Sequence, residues 1–83
     1  MSEEELRTLE ALGDLITKTR PTVTALDIAE FQGLGTSEYE SKALFSLIDL
    51  ESKRLVRRSY SGGHYSPNWM LTASGWRKYQ EYF

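Results

Sequence analysis

Thr36-Ser37-Glu38-Tyr39-Glu40-Ser41-Lys42-Ala43-Leu44-Phe45-Ser46-Leu47-Ile48-Asp49-Leu50 passes through Glu51-Ser52-Lys53-Arg54 into Leu55-Val56-Arg57-Arg58, and after Ser61-Gly62-Gly63-His64 the chain reaches Trp69-Met70-Leu71-Thr72. Ala43, Leu44, Leu47 and Leu50 recur at the helical period, which predicts a helix over residues 36–53 with that ladder turned inward. Its opposite face holds Glu38, Ser41, Lys42, Phe45 and Asp49. Beyond Arg54 the residues change to strand-forming types around Gly62-Gly63, a pair suited to a two-residue hairpin turn. The predicted hairpin covers residues 55–71. A turn at that pair sets Arg57 opposite Asn68, Arg58 opposite Pro67, Val56 opposite Trp69 and Ser61 opposite His64. Alternation then puts Arg57, Ser59, His64, Ser66 and Asn68 on one face.

On the N-terminal side, Ser2 and Glu5 have the spacing of a capping box, followed by the stripe Leu6, Leu9, Leu12, Leu15 and Ile16. This first helix ends before Pro21, whose ring disfavours helical geometry at Arg20. Thr22-Val23 reads as an extended link, and Thr24 with Asp27 as a second cap. The second helix, with Leu26, Ile28, Ala29 and Phe31, stops at Gln32-Gly33. Gly33-Leu34-Gly35 is a tight turn, and Ser37 with Glu40 is expected to cap the third helix. Two short helices joined by a glycine turn have the helix-turn-helix pattern. On the far side, Thr72 caps a last helix with Trp76, Tyr79 and Phe83 on one stripe. Trp69 and Trp76 are expected in the core, as are Tyr79 and Phe83.

These elements define a mainly α fold with a small β-hairpin (α+β), in the order α-α-α-β-β-α. The 83 residues suffice for one domain with a modest core, assigned here to residues 1–83. The absence of cysteine leaves no disulfide, thiolate metal site or thiol nucleophile. The acidic start, Met1-Ser2-Glu3-Glu4-Glu5, is unlike a secretory signal, and no apolar run has membrane-spanning length, so no membrane association and a cytoplasmic location are expected.

The net charge of −2 conceals a division between the halves. Residues 1–51 hold four basic and eleven acidic side chains, whereas residues 52–83 hold six basic ones and only Glu81 as an acid. A basic C-terminal half points to a polyanionic partner.

The chain resembles the winged helix-turn-helix family of small DNA-binding regulators, especially compact prokaryotic and mobile-element forms. Leu50-Glu51-Ser52-Lys53-Arg54-Leu55-Val56-Arg57-Arg58 is similar to the end of a recognition helix entering the wing, Gly62-Gly63 to a wing tip, and Leu71-Thr72-Ala73-Ser74-Gly75 to the return into a final helix. The resemblance covers essentially the whole chain. It implies double-stranded DNA as partner, with helix 36–53 toward the major groove and the 55–71 hairpin on the backbone or minor groove. By position, Ser41 and Lys42 would face base edges or phosphates, and Arg57 and Arg58 would grip phosphates. Lys53 and Arg54 would flank the groove, with His64 and Asn68 near the same strand. Arg54 stands where these regulators usually place a glycine, so a strained helix end is expected. Regulators of this kind also pair as homodimers on two half-sites.

A different reading makes the domain a protein-interaction module, an inhibitor or accessory factor docking through the acidic face of the third helix and Phe45. Phe45, Tyr82 and Phe83 are the candidates for a protein interface, including self-association. Catalysis is not expected, because no nucleophile, base and orienting group fall at a recognisable spacing. Neither glycine pair is followed by the lysine and hydroxyl residue of a phosphate loop. No cofactor is expected, and no metal either, since His64 stands without a second histidine or a cysteine.

Overall fold

A computed structural model describes residues 1–19, 21–33, 37–60 and 67–83, apart from the side chain of Ser37. The elements are α1 (Glu3–Lys18), α2 (Ala25–Phe31), α3 (Ser37–Ser52), β1 (Val56–Ser59), β2 (Asn68–Leu71) and α4 (Ala73–Tyr82). Four helices and one antiparallel hairpin follow the order expected from the sequence.

Local chemistry starts three of the helices. At α1 the Ser2 hydroxyl accepts from the Glu5 amide at 3.2 Å while the Glu5 carboxylate accepts from the Ser2 amide at 3.3 Å. Thr24 and Asp27 make the same reciprocal pair at α2, at 3.1 and 2.9 Å. Thr72 caps α4 by accepting from the Gly75 amide at 3.0 Å. Each exchange satisfies amides that a helix start leaves without partners. Ser37 begins α3, and the expected Ser37–Glu40 cap lies outside the described residues and side chains. The Gly33-Leu34-Gly35 turn, the Gly62-Gly63 tip and His64 also lie partly or wholly outside them. Gly33 itself has φ +80°, a left-handed conformation that suits the end of α2.

At the end of α3 the Leu55 amide donates to the Leu50 carbonyl at 3.0 Å, and the Arg54 amide donates to that of Glu51 at 2.9 Å. This pair of bonds is a Schellman ending, with Arg54 in the left-handed position at φ 62°. A side chain there costs on the order of 1 kcal/mol relative to glycine. The strained helix end is therefore present.

The hairpin register differs from the expected one by two residues. Val56 pairs with Leu71, Arg57 with Met70, Arg58 with Trp69 and Ser59 with Asn68. Two anchors outside the turn fix it. Val23 forms an antiparallel bridge to Trp69, with amide-to-carbonyl bonds of 2.7 and 3.1 Å, and the Thr72 amide donates to the Leu55 carbonyl at 3.1 Å. Thr22-Val23 is thus more than a link, because Val23 adds an isolated bridge to the other side of β2. A slip of two residues keeps every side chain on its expected face. Val56, Arg58, Trp69 and Leu71 point inward, and Arg57, Ser59, Asn68 and Met70 outward.

The core is built from Leu9 and Leu12 of α1, Val23, Ile28 of α2, Leu47 and Leu50 of α3, Val56 and Trp69, all fully or nearly fully buried. Trp76 and Tyr79 pack on its edge half-buried, so Trp76 is a border residue rather than a central one. Phe83 is exposed, because α4 runs past the edge of the domain. Leu26 and Phe31 of α2 are exposed too. Tyr79 donates to the Asp14 carboxylate, and with burial this pushes its phenol up to about 12. Gly13 of α1 lies under the Tyr79 ring, where a Cβ would come within 2.3 Å of it. Among the described residues no helix is long and apolar enough to cross a membrane.

Candidate nucleic-acid interface

Two surfaces meet at the C-terminal end of α3: the outward ridge of that helix and the outer face of the hairpin. The ridge follows from the helical period. Because Ala43, Ser46, Leu47 and Leu50 are buried, the opposite line exposes Ser41, Phe45, Ile48 and Ser52, with Glu38 and Asp49 on its flanks. Ile48 was not among the expected outward residues. Its position three after Phe45 was the available signal.

Lys42 does not join the ridge. It lies on the side facing α1, within 3.6 Å of the Glu38 carboxylate and 5.1 Å from the centre of the Tyr39 ring. There it lines an open groove with Arg7, Thr8, Phe31 and Tyr39.

The basic cluster divides into engaged and unengaged cations. Lys53 reaches back to α1 and donates to the Glu5 carboxylate, closing the end of α3 against the start of the chain. Arg58, on the inner face of β1, donates through Nε at 2.9 Å and Nη2 at 2.7 Å to the two oxygens of Glu51. Its guanidinium also stacks 4.8 Å from the centre of the Trp69 ring. Hydrogen bonds from Arg58 and Lys53 hold the Glu51 and Glu5 carboxylates below the ordinary value, against the opposing pull of burial. A planar fork satisfied on both sides is poorly placed for phosphate. Arg58, expected to grip DNA from the wing, joins α3 to the hairpin through Glu51.

Arg57 and Arg54 remain. Both are exposed, and among the described residues no carboxylate lies within ion-pairing distance of either. Arg57 sits on the outer face opposite Met70, whose sulfur accepts from Nε at 2.9 Å. Asn68 shares that face, half-buried opposite Ser59 rather than Arg57. Arg54 projects from the junction, its carbonyl accepting from the Thr72 hydroxyl at 2.7 Å. At the far end of α4, Tyr82 and Phe83 are 49% and 53% exposed. They are remote in sequence from this interface and belong to a different helix. Among the described residues no group of His, Cys, Asp and Glu could hold a metal ion.

This arrangement, a helix-turn-helix with a Schellman-ended third helix and a hairpin anchored on Val23, is the winged helix-turn-helix fold, and the chain belongs to that class. Among solved structures it is similar to MepR, a transcription regulator of the Staphylococcus aureus multidrug efflux pump MepA, at 27% identity and a TM-score of 0.72. The A103V mutant of MepR, from a multidrug resistant clinical isolate, superposes with a TM-score of 0.76 at 26% identity. Both likenesses take in 99% of this chain but only 54–55% of the MepR chain. The Zalpha domain of Carassius auratus PKZ, solved in complex with Z-DNA, shares the fold at a TM-score of 0.61 and 24% identity, over 86% of this chain and 100% of that one. No protein-family model and no curated protein matches the chain.

Proposed function

We propose that this chain binds double-stranded DNA, with the α3 ridge in the major groove and the hairpin on the adjoining backbone, and that it acts in regulating transcription. The observation that carries this reading is a pair of exposed cations with no carboxylate partner among the described residues, Arg57 on the outer hairpin face and Arg54 at the helix end, together with an exposed helix ridge. The likeness to MepR supports it, since a fold alone does not define an activity. Double-stranded DNA as partner is favoured over a protein partner by the cations. A homodimer presenting two such ridges to two half-sites is part of the proposal, with Tyr82 and Phe83 as the aromatic surface for pairing.

Fluorescence anisotropy of a mixed-sequence duplex, titrated at several salt concentrations, tests it. The affinity is expected to fall linearly with salt on logarithmic axes, as counterion release requires. Arg57→Ala should weaken binding to all sequences alike and reduce the slope by about one. Arg58→Ala, in contrast, should act through loss of stability. No binding at low salt, or an unchanged slope in Arg57→Ala, contradicts the reading. The complex of the Zalpha domain gives reason to run the same titration with a Z-form duplex.

A further inference from the structure

The ridge of α3 has an unusual chemistry for a groove-reading helix. Phe45 is 66% exposed and Ile48 38%, and they lie three residues apart in line with Ser41. Glu38 and Asp49 lie on the flank nearer α1, and Lys42 stands on that flank beside them, paired with Glu38 and set over the Tyr39 ring. The ridge itself therefore presents no Lys or Arg. Bidentate recognition of guanine uses Arg or Lys, and bidentate recognition of adenine uses Asn or Gln. Neither is available along Ser41, Phe45, Ile48 and Ser52. What the ridge offers is apolar surface, and the apolar feature of the major groove is the C5-methyl group of thymine.

Resting on the DNA-binding reading, we propose that Phe45 and Ile48 determine specificity, and that they select thymine through its 5-methyl group. The carboxylates of Glu38 and Asp49 add to the selection. They repel phosphate and can accept only from the exposed amino groups of cytosine or adenine, so they restrict where the ridge can sit. Affinity then comes from Arg54 and Arg57, and discrimination from the ridge. Geometry favours this occupant over a second protein surface. The ridge stands on a single helix, about 10–12 Å across with its side chains, which is the width of the major groove, about 12 Å. The exposed cations Arg54 and Arg57 that follow its C-terminal end complement a polyanion.

The test compares two 20-base-pair duplexes, alternating d(AT) and the same duplex with deoxyuridine for thymidine, which differ only in the methyl groups. Wild-type protein is expected to bind the uracil duplex about fourfold more weakly for each methyl contacted, from the transfer value of one buried methyl-sized group. Phe45→Ala, an exposed position that should keep the melting temperature, is expected to remove most of this preference while leaving the salt slope unchanged. Equal wild-type affinity for the two duplexes, with salt-dependent binding retained, overturns the thymine reading alone. So does a preference that survives in Phe45→Ala, or a Phe45→Ala variant whose only defect is loss of a dimer. Failure to bind either of these duplexes or a G·C duplex at low salt overturns this inference together with the DNA-binding reading.

Discussion

Gly75→Ala is expected to destabilise the fold by at least about 3 kcal/mol. Gly75 lies in the first turn of α4, and a Cβ built there would stand 1.9 Å from the Leu55 carbonyl oxygen and 2.9 Å from its carbon. That oxygen cannot yield easily, since it accepts from the Thr72 amide, and Leu55 is tied to Leu50 by the Schellman bond. Relief requires α4 to withdraw by more than an ångström from the start of the hairpin, taking the Thr72 cap and the Tyr79 contact with it. Helix propensity alone predicts the opposite sign, because alanine is favoured over glycine inside a helix by about 1 kcal/mol. A backbone overlap of this depth outweighs that gain several-fold. The expected loss is at least about 3 kcal/mol, against a total of roughly 4–12 kcal/mol for a chain of this length. Urea unfolding followed by circular dichroism measures it. Ser74→Ala, one residue earlier and exposed, is the control and should stay within about 0.5 kcal/mol. A Gly75→Ala protein as stable as that control would show that α4 does not start against Leu55.

Trp69→Ala should cost about 3–5 kcal/mol, the range for removing a large aromatic side chain from a core. Trp69 has no exposed surface and stands where three parts of the chain meet. Its backbone bridges to Val23, its strand partner is Arg58, and its ring faces the Arg58 guanidinium. Removing the ring opens a cavity in the core, and strips the Arg58–Glu51 pair of one wall. No described residue accepts from the buried indole Nε1. An amide-like donor buried without a partner costs about 1–3 kcal/mol, so part of the indole's contribution is already offset. Trp69→Phe should accordingly be much milder than Trp69→Ala. Thermal melts of the two variants check this ordering, and a Trp69→Ala protein that melts like wild type would contradict the placement of Trp69 at the centre.

Much of the fold was readable because its signals are local. The capping pairs Ser2 with Glu5 and Thr24 with Asp27, the Thr72 cap and the Leu47–Leu50 ladder each lie within a few residues and form as expected. The hairpin register was not local. A Gly-Gly pair indicates a two-residue turn, but the pairing is held by Val23 and Leu55, 46 and 14 residues from Trp69 along the chain, as the numbering shows. The two-residue error preserved the faces, so the outward position of Arg57 was legible even though its partner, Met70, was not.

The candidate site was legible as a list of charges and less so as an arrangement. Lys53, Arg54, Arg57 and Arg58 look alike in the sequence. Only the folded chain shows that Lys53 meets Glu5 and Arg58 meets Glu51, leaving Arg54 and Arg57 exposed. Ion pairs across a helix–strand junction, or across 48 positions, depend on packing angles that no spacing rule encodes. Lys42 is drawn to the α1 side by its partners within the helix, the Glu38 carboxylate and the Tyr39 ring.

The most direct test of the central claim is to follow the backbone amide signals of the whole chain by NMR while a mixed-sequence duplex is added at low salt. The shifts should concentrate on two surfaces, residues 41–52 of α3 and residues 54–59 with 68–70 of the hairpin, while α1 and α4 stay unmoved. Shifts centred on α1 or α4, or none at a concentration where a DNA complex should form, would contradict the assignment of the α3 ridge and the hairpin as the DNA-binding face.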